Sequence, residues 1–214
     1  MLQQIQLELS RSKVTLIAVS KYRSNEAIQE LYDQGQRHFA ENRVQELLLK
    51  HPQLPQDISW HVIGHLQTNK VKYIAPFVHM IQSVDSEKVL LEINKEAAKN
   101  HRCIDILIQF KIAAEDTKYG FDLATVKELL ASDAFANAKN IRVCGVMGMA
   151  TFTEDKEQVK GEFRVLKGIF EELKAEFFGE EDSFKEISMG MSGDYLLAVK
   201  EGSTMVRIGS KLFA

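Results

Sequence analysis

Short apolar runs alternate with helix-period segments along almost the whole chain. Runs at 14–20, 38–41, 59–64, 78–84, 104–110, 141–149, 186–190 and 205–209 read as strands, several with consecutive apolar positions as in strands covered on both faces. The gaps carry helical signals. Ser24 caps a predicted helix with Ile28 and Leu31 inward, stopped at Gly35; Val44, Leu47 and Leu48 mark another that ends at His51-Pro52. Thr68 is placed to cap a helix with Val71, Ile74 and Ala75 inward, stopped at Pro76, and Ser86 opens one using Val89, Leu90, Ile93 and Ala97. Leu123, Val126, Leu129 and Leu130 follow. The clearest period is Val159, Phe163, Leu166, Phe170, Leu173 and Phe177, a single helix packed on a core. Gly179–Asp182 is an acidic solvated loop.

Eight strands with intervening helices and no Gly- or Pro-rich linker predict an α/β fold: one (β/α)8 TIM-type barrel forming a single domain over 1–214. Only a few residues follow the eighth strand, so the eighth helix is missing. An added N-terminal amphipathic helix with Ile5, Leu7 and Leu9 inward is expected to cover the gap. An open doubly wound sheet competes, but its Gly-x-Gly-x-x-Gly turn after the first strand is absent.

A net charge of -3 gives no basic field for nucleic acid or an anionic membrane. The apolar runs are too short to span a bilayer, and the first residues lack a signal-peptide pattern, so a cytoplasmic protein is expected. Cys103 and Cys144 are read as buried, reduced thiols.

In such barrels, function gathers at the C-terminal strand ends, with phosphate often held after strands seven and eight. Lys21 closes strand one and Asn42 strand two. An ammonium is costly to desolvate and tends toward its nucleophilic neutral form. Ser188-Met-Gly-Met-Ser-Gly193 and Val206-Arg-Ile-Gly-Ser210 form two glycine turns at the expected phosphate positions, and Ser192-Gly193 opens a helix with Leu196, Leu197 and Val199. Ser188, Ser192 and Ser210 offer hydroxyls. An amine that condenses with an aldehyde, beside a phosphate cradle, suggests pyridoxal 5'-phosphate (PLP) held as a Schiff base. Arg207 shares an inward face with Met205 and Gly209. Two readings stand for it: a buried ion pair with Glu41, or a donor to the pyridine nitrogen. His61 and His65 on a strand lie about 13 Å apart, too far to share an ion, so no metal site is expected and His61 is a polar core or pocket residue. Glu115–Gly120 overhangs the mouth as a lid or as a solvated loop.

These residues resemble the pyridoxal-phosphate homeostasis proteins, the YggS/PROSC family. The matching stretches are Ala18-Val-Ser-Lys21, Gly35-Gln with Phe39-Ala-Glu-Asn42, Trp60-His-Val-Ile-Gly64 with Leu66-Gln-Thr-Asn-Lys70, Lys118-Tyr-Gly120, Gly145-Val-Met-Gly-Met149, Ser188-Met-Gly-Met-Ser192 and Gly202-Ser-Thr-Met-Val-Arg-Ile-Gly209. The resemblance implies the barrel of alanine racemase N-terminal domains, with the cofactor aldehyde on Lys21, Arg207 facing the pyridine nitrogen, and Ser192, Gly209 and Ser210 on the phosphate. Asn42, Met149 and Ser188 complete the cofactor-binding set. Ser210 stands for the family's usual threonine, Arg23-Ser24 for its Lys-Pro, and the closing Arg-x-Tyr is absent. The implied function is a monomeric PLP carrier for vitamin B6 homeostasis with little turnover, delivering to apo-enzymes that accept the cofactor. An amino-acid racemase is the alternative, and a cofactor-free Schiff-base aldolase a third reading.

Overall fold

The computed structural model describes residues 1–114 and 119–213. Eight parallel strands close into a barrel in sequence order. They are β1 Thr15–Val19, β2 His38–Glu41, β3 Ser59–Val62, β4 Met80–Val84, β5 Ile104–Phe110, β6 Ile141–Gly148, β7 Glu186–Ser188 and β8 Met205–Ile208. Each lies inside its apolar run. Closure comes from β8 lying beside β1, Thr15 opposite Met205 and Ile17 opposite Arg207, which excludes the open doubly wound sheet.

Outside the strands lie α1 Leu2–Leu9, α2 Asn25–Asp33, α3 Val44–Lys50, α4 Thr68–Ile74, α5 Glu87–Lys99, α6 Leu123–Leu130, α7 Asp133–Ala136, α8 Lys156–Phe177 and α9 Tyr195–Lys200. The hydroxyl of Ser24 accepts from the Ala27 N–H, as its capping role requires. Gln67, not Thr68, is the cap of α4. The four-residue α7 is too short to leave a period in the sequence.

The apolar residues fall into two layers. Ala18, Phe39, Ile81, Ile106, Val146 and Ile208 face the helices, whereas Ile17, Val19, Ala40, Met80, Leu107, Cys144, Met147 and Met205 fill the barrel interior. Val159, Phe163, Leu166 and Leu173 seat α8 on the strands, each burial stabilising by roughly 1.5–3 kcal/mol.

No helix follows β8 among the described residues. Instead α1 packs on β1, and its Glu8 carboxylate accepts from the Tyr195 hydroxyl on α9, covering that flank. The buried stripe of α1 is Leu2, Ile5 and Leu9, with Leu7 exposed. The expectation for Leu7 fails because positions two apart cannot share a helix face. Cys144 is buried as expected, but Cys103 stands exposed just before β5. Among the described residues no helix is long and apolar enough to cross a membrane.

Candidate functional site

The C-terminal ends of β1 and β2 form one wall of the barrel mouth. Lys21 lies two residues beyond β1 in a turn and is exposed, so the expected desolvated amine is not what the structure holds. Tyr22 beside it takes a φ of 62°, uncommon for a non-glycine residue, while its N–H donates to Glu46 Oε2 at 3.1 Å. The buried cation on this wall is Lys50. Its Nζ donates to Glu41 Oε1 at 2.6 Å and to the Ser20 carbonyl at 2.9 Å, and the Ser20 hydroxyl donates to the same carboxylate oxygen at 2.7 Å. This buried clamp fixes the backbone immediately before Lys21. Burial pushes the Glu41 carboxyl up from its ordinary range, against the hydrogen bonds from Lys50 and Ser20 that pull it down.

Glu41 is therefore not the partner of Arg207. Arg207 lies buried on β8, donating to Ser188 Oγ at 2.6 Å and to the Gly148 carbonyl at 2.9 Å; among the described residues no carboxylate pairs with it. Burial lowers the guanidinium to about 10, with Asp194 opposing, so it stays a cation at neutral pH. Met149 follows Gly148 and packs against the interior cluster.

The two glycine turns do come together: the Gly209 N–H donates to Ser192 Oγ at 3.3 Å. A Cβ on Gly209 would sit 3.1 Å from the Val19 carbonyl oxygen, so the turn approaches β1 closely. Gly190 takes a φ of +94°, and a Cβ there would lie 2.5 Å from that of Ala198. The helix after this turn starts at Tyr195, capped at Asp194 rather than at Ser192-Gly193, and Leu196 is exposed. Ser210 is exposed beside Gly209. Asn42 lies just past β2, its side-chain oxygen buried without a partner. Ser188, grouped from sequence with the phosphate donors, is fully buried and gives its hydroxyl proton to Gln82 Oε1 at 2.7 Å. Its place is under Arg207, not in the turn.

Below Arg207 the chain of hydrogen bonds continues from Gln82 to His61 Nδ1 at 3.0 Å. His61 is buried, and desolvation holds it well below the ordinary imidazole range. His65 is elsewhere: its Nδ1 meets Asp85 at 2.6 Å and its ring stacks on Tyr119 at 4.1 Å. A different grouping, His38 with His61 and His79, was missed because the three come from separate strands. Of the Glu115–Gly120 overhang, residues 115–118 lie outside the described residues; the Tyr119 carbonyl accepts from Gln109 Nε2.

Residues 2–214 match the family of the alanine racemase N-terminal domain. A pyridoxal phosphate homeostasis protein of Aquifex aeolicus is 40% identical over 199 residues, covering 92% of this chain and 85% of that protein. The pyridoxal phosphate homeostasis protein of Schizosaccharomyces pombe is 36% identical over 213 residues, covering 98% and 87%. Among solved structures, PipY of Synechococcus elongatus without PLP superposes with a TM-score of 0.92 at 33% identity, covering 100% of this chain and 98% of PipY; the form with PLP bound gives 0.88. An alanine racemase of Clostridium difficile shares the fold at 14% identity and a TM-score of 0.68, with this chain spanning 56% of its length. The chain belongs to the pyridoxal phosphate homeostasis protein family, built on the barrel of the alanine racemase N-terminal domain.

Proposed function

We propose that this chain binds PLP in the cytoplasm as a carrier for vitamin B6 homeostasis, with residues 1–214 acting as one domain and as a monomer. The observation that carries the reading is the union of the two glycine turns through Ser192 and Gly209, beside an exposed lysine at the end of β1. The residues present suit the group. Ser192, Gly209 and Ser210 hold the phosphate in a cradle where Gly209 leaves no side chain. The Lys21 amine condenses with the aldehyde, releasing water and leaving a Schiff base. Asn42 has a buried amide oxygen to offer, and Met149 lies beside the carbonyl that positions Arg207. Ser188 orients Arg207 from below.

Bound PLP supplies an aldehyde and an electron-withdrawing ring, and Arg207, which donates without releasing its proton, keeps the ring nitrogen unprotonated and the withdrawal weak. Racemisation also needs an acid/base on each face of the substrate Cα. Little turnover is therefore expected, and apo-enzymes that accept PLP are the recipients. An amino-acid panel scored by Cα deuterium exchange tests this: exchange far below enzyme rates is expected, and turnover on the order of 1 s⁻¹ or faster would mark an enzyme.

A further inference from the structure

At the opposite, N-terminal end of the barrel, three imidazoles from neighbouring strands converge. His38 opens β2, His61 lies on β3 and His79 immediately precedes β4. One ring nitrogen of each lies within 4.8 Å of the others, and His38 Nδ1 and His61 Nε2 are 3.0 Å apart. The His79 ring stands edge-on to those of His38 and His61, at 5.7 and 5.2 Å between centroids. His38 and His79 line a cavity of about 430 Å³ with Asp105 and Cys144 on its wall, and His79 is exposed, which gives an ion a way in. Burial keeps all three imidazoles below their ordinary range, in the neutral form that a ligand needs.

We propose that His38, His61 and His79 bind one divalent first-row transition-metal ion of the zinc class, with solvent in the fourth position. Nitrogens around a tetrahedral zinc ion lie about 3.3 Å apart, given Zn–N bonds of about 2.0–2.1 Å. The His38–His61 pair is already within a few tenths of an ångström of that spacing. The exposed His79 closes the remaining gap by rotation. Neither wall residue supplies the fourth ligand. Arg142 holds Asp105 in a two-pronged pair at 2.7 and 2.9 Å, and burial raises the Cys144 thiol to about 12. Position in the fold points to a structural ion clamping β2, β3 and β4, since this end of such barrels serves stability.

The hydrogen-bond chain above the site controls its loading. Arginine only donates, so Ser188 Oγ, which accepts from Arg207, must give its own proton to Gln82 Oε1. Gln82 then turns its amide nitrogen to His61 Nδ1, which places the His61 proton on Nε2, toward His38. Metal on Nε2 requires that proton to move to Nδ1, with none gained or lost overall. Gln82 must turn over to accept it, and the Ser188 hydroxyl loses its acceptor. Gln82 is thus a positioning residue that holds affinity down. Glutamate at 82 would accept from His61 Nδ1–H and from Ser188 together, beside a buried Arg207 that pairs with no carboxylate among the described residues, and it completes the carboxylate–histidine–metal arrangement.

The test uses chelator-treated full chain titrated with Co²⁺ and then Zn²⁺, a readout independent of the proposed cofactor. The expected result is one equivalent of Co²⁺ with the intense visible d–d band of a four-coordinate site, displaced by Zn²⁺, and a higher unfolding temperature with Zn²⁺. His79→Ala should weaken binding about tenfold or more, and Gln82→Glu should tighten it about tenfold or more. Because His79 is exposed, its replacement decides the matter even if the Gln82 variant fails to fold. A weak six-coordinate spectrum, a stoichiometry other than one, affinity unchanged in His79→Ala, or a folded Gln82→Glu chain that binds no tighter would each overturn the site.

Discussion

Lys50→Met is expected to cost about 3–5 kcal/mol of stability, the range for breaking a buried ion pair from one side. The Lys50 side chain is only 10% exposed and that of Glu41 not at all, so solvent screens the pair little. Removing the ammonium leaves the carboxylate with the Ser20 hydroxyl and an unopposed desolvation penalty, and leaves the Ser20 carbonyl before Lys21 with the Arg23 N–H in place of two donors. The pH dependence has a definite sign. Burial already raises Glu41 above its ordinary 4.5, and losing Lys50 raises it further. An acid whose folded value exceeds its unfolded value favours folding at low pH, and that contribution is lost as pH rises through the interval between the two. The deficit of the variant should therefore be small near pH 4 and full at neutral pH. Urea unfolding at several pH values measures it. A loss below about 1 kcal/mol at pH 7, or one independent of pH, would mean that the pair is not a clamp. Glu41→Gln in the same background should recover part of the loss, because the orphaned charge is gone.

Gly190→Ala should cost about 2–5 kcal/mol and weaken PLP more than pyridoxal. Two terms add: a left-handed backbone costs an L-residue about 1–2 kcal/mol, and overpacking against a neighbour about 1–3 kcal/mol. The neighbours are the Ala198 Cβ at 2.5 Å and the Tyr195 Cα at 3.0 Å, so α9 must back away and drag with it the turn holding Ser192. Gly193→Ala is the matched control, since nothing lies within 4 Å of a Cβ there. Thermal unfolding and titration with the two vitamers separate the effects. Equal weakening of both vitamers, or equal damage from the Gly193 control, would detach the phosphate from this turn.

The strands were legible because a parallel strand between a filled barrel and a helical layer is apolar on both faces, and β1 through β8 all sit inside such runs. Helix ends were legible where Ser24 opens one or a proline, Pro52 or Pro76, stops one. The inward face of α1 was misread because 5, 7 and 9 follow strand periodicity rather than that of a helix. Residues at the strand ends, Lys21, Asn42, Ser192, Arg207 and Gly209, follow from topology alone. What pairs with them does not. The Lys50–Glu41 clamp, the turn of Ser188 toward Gln82 and the three-histidine cluster all depend on register between strands far apart in sequence. His61 stands beside Ala40 on one strand and Met80 on the next, and this brings His38 and His79 within reach. No spacing within a single segment carries that information.

The most direct test of the cofactor reading is the address of the trapped lysine. Purified protein incubated with PLP is reduced with borohydride, digested and mapped by mass spectrometry, with Lys21→Ala in parallel. The predicted result is one adduct on Lys21, and loss of both the adduct and the visible band in the variant. An adduct on Lys50 or on any other lysine, or an undiminished band in Lys21→Ala, would contradict it.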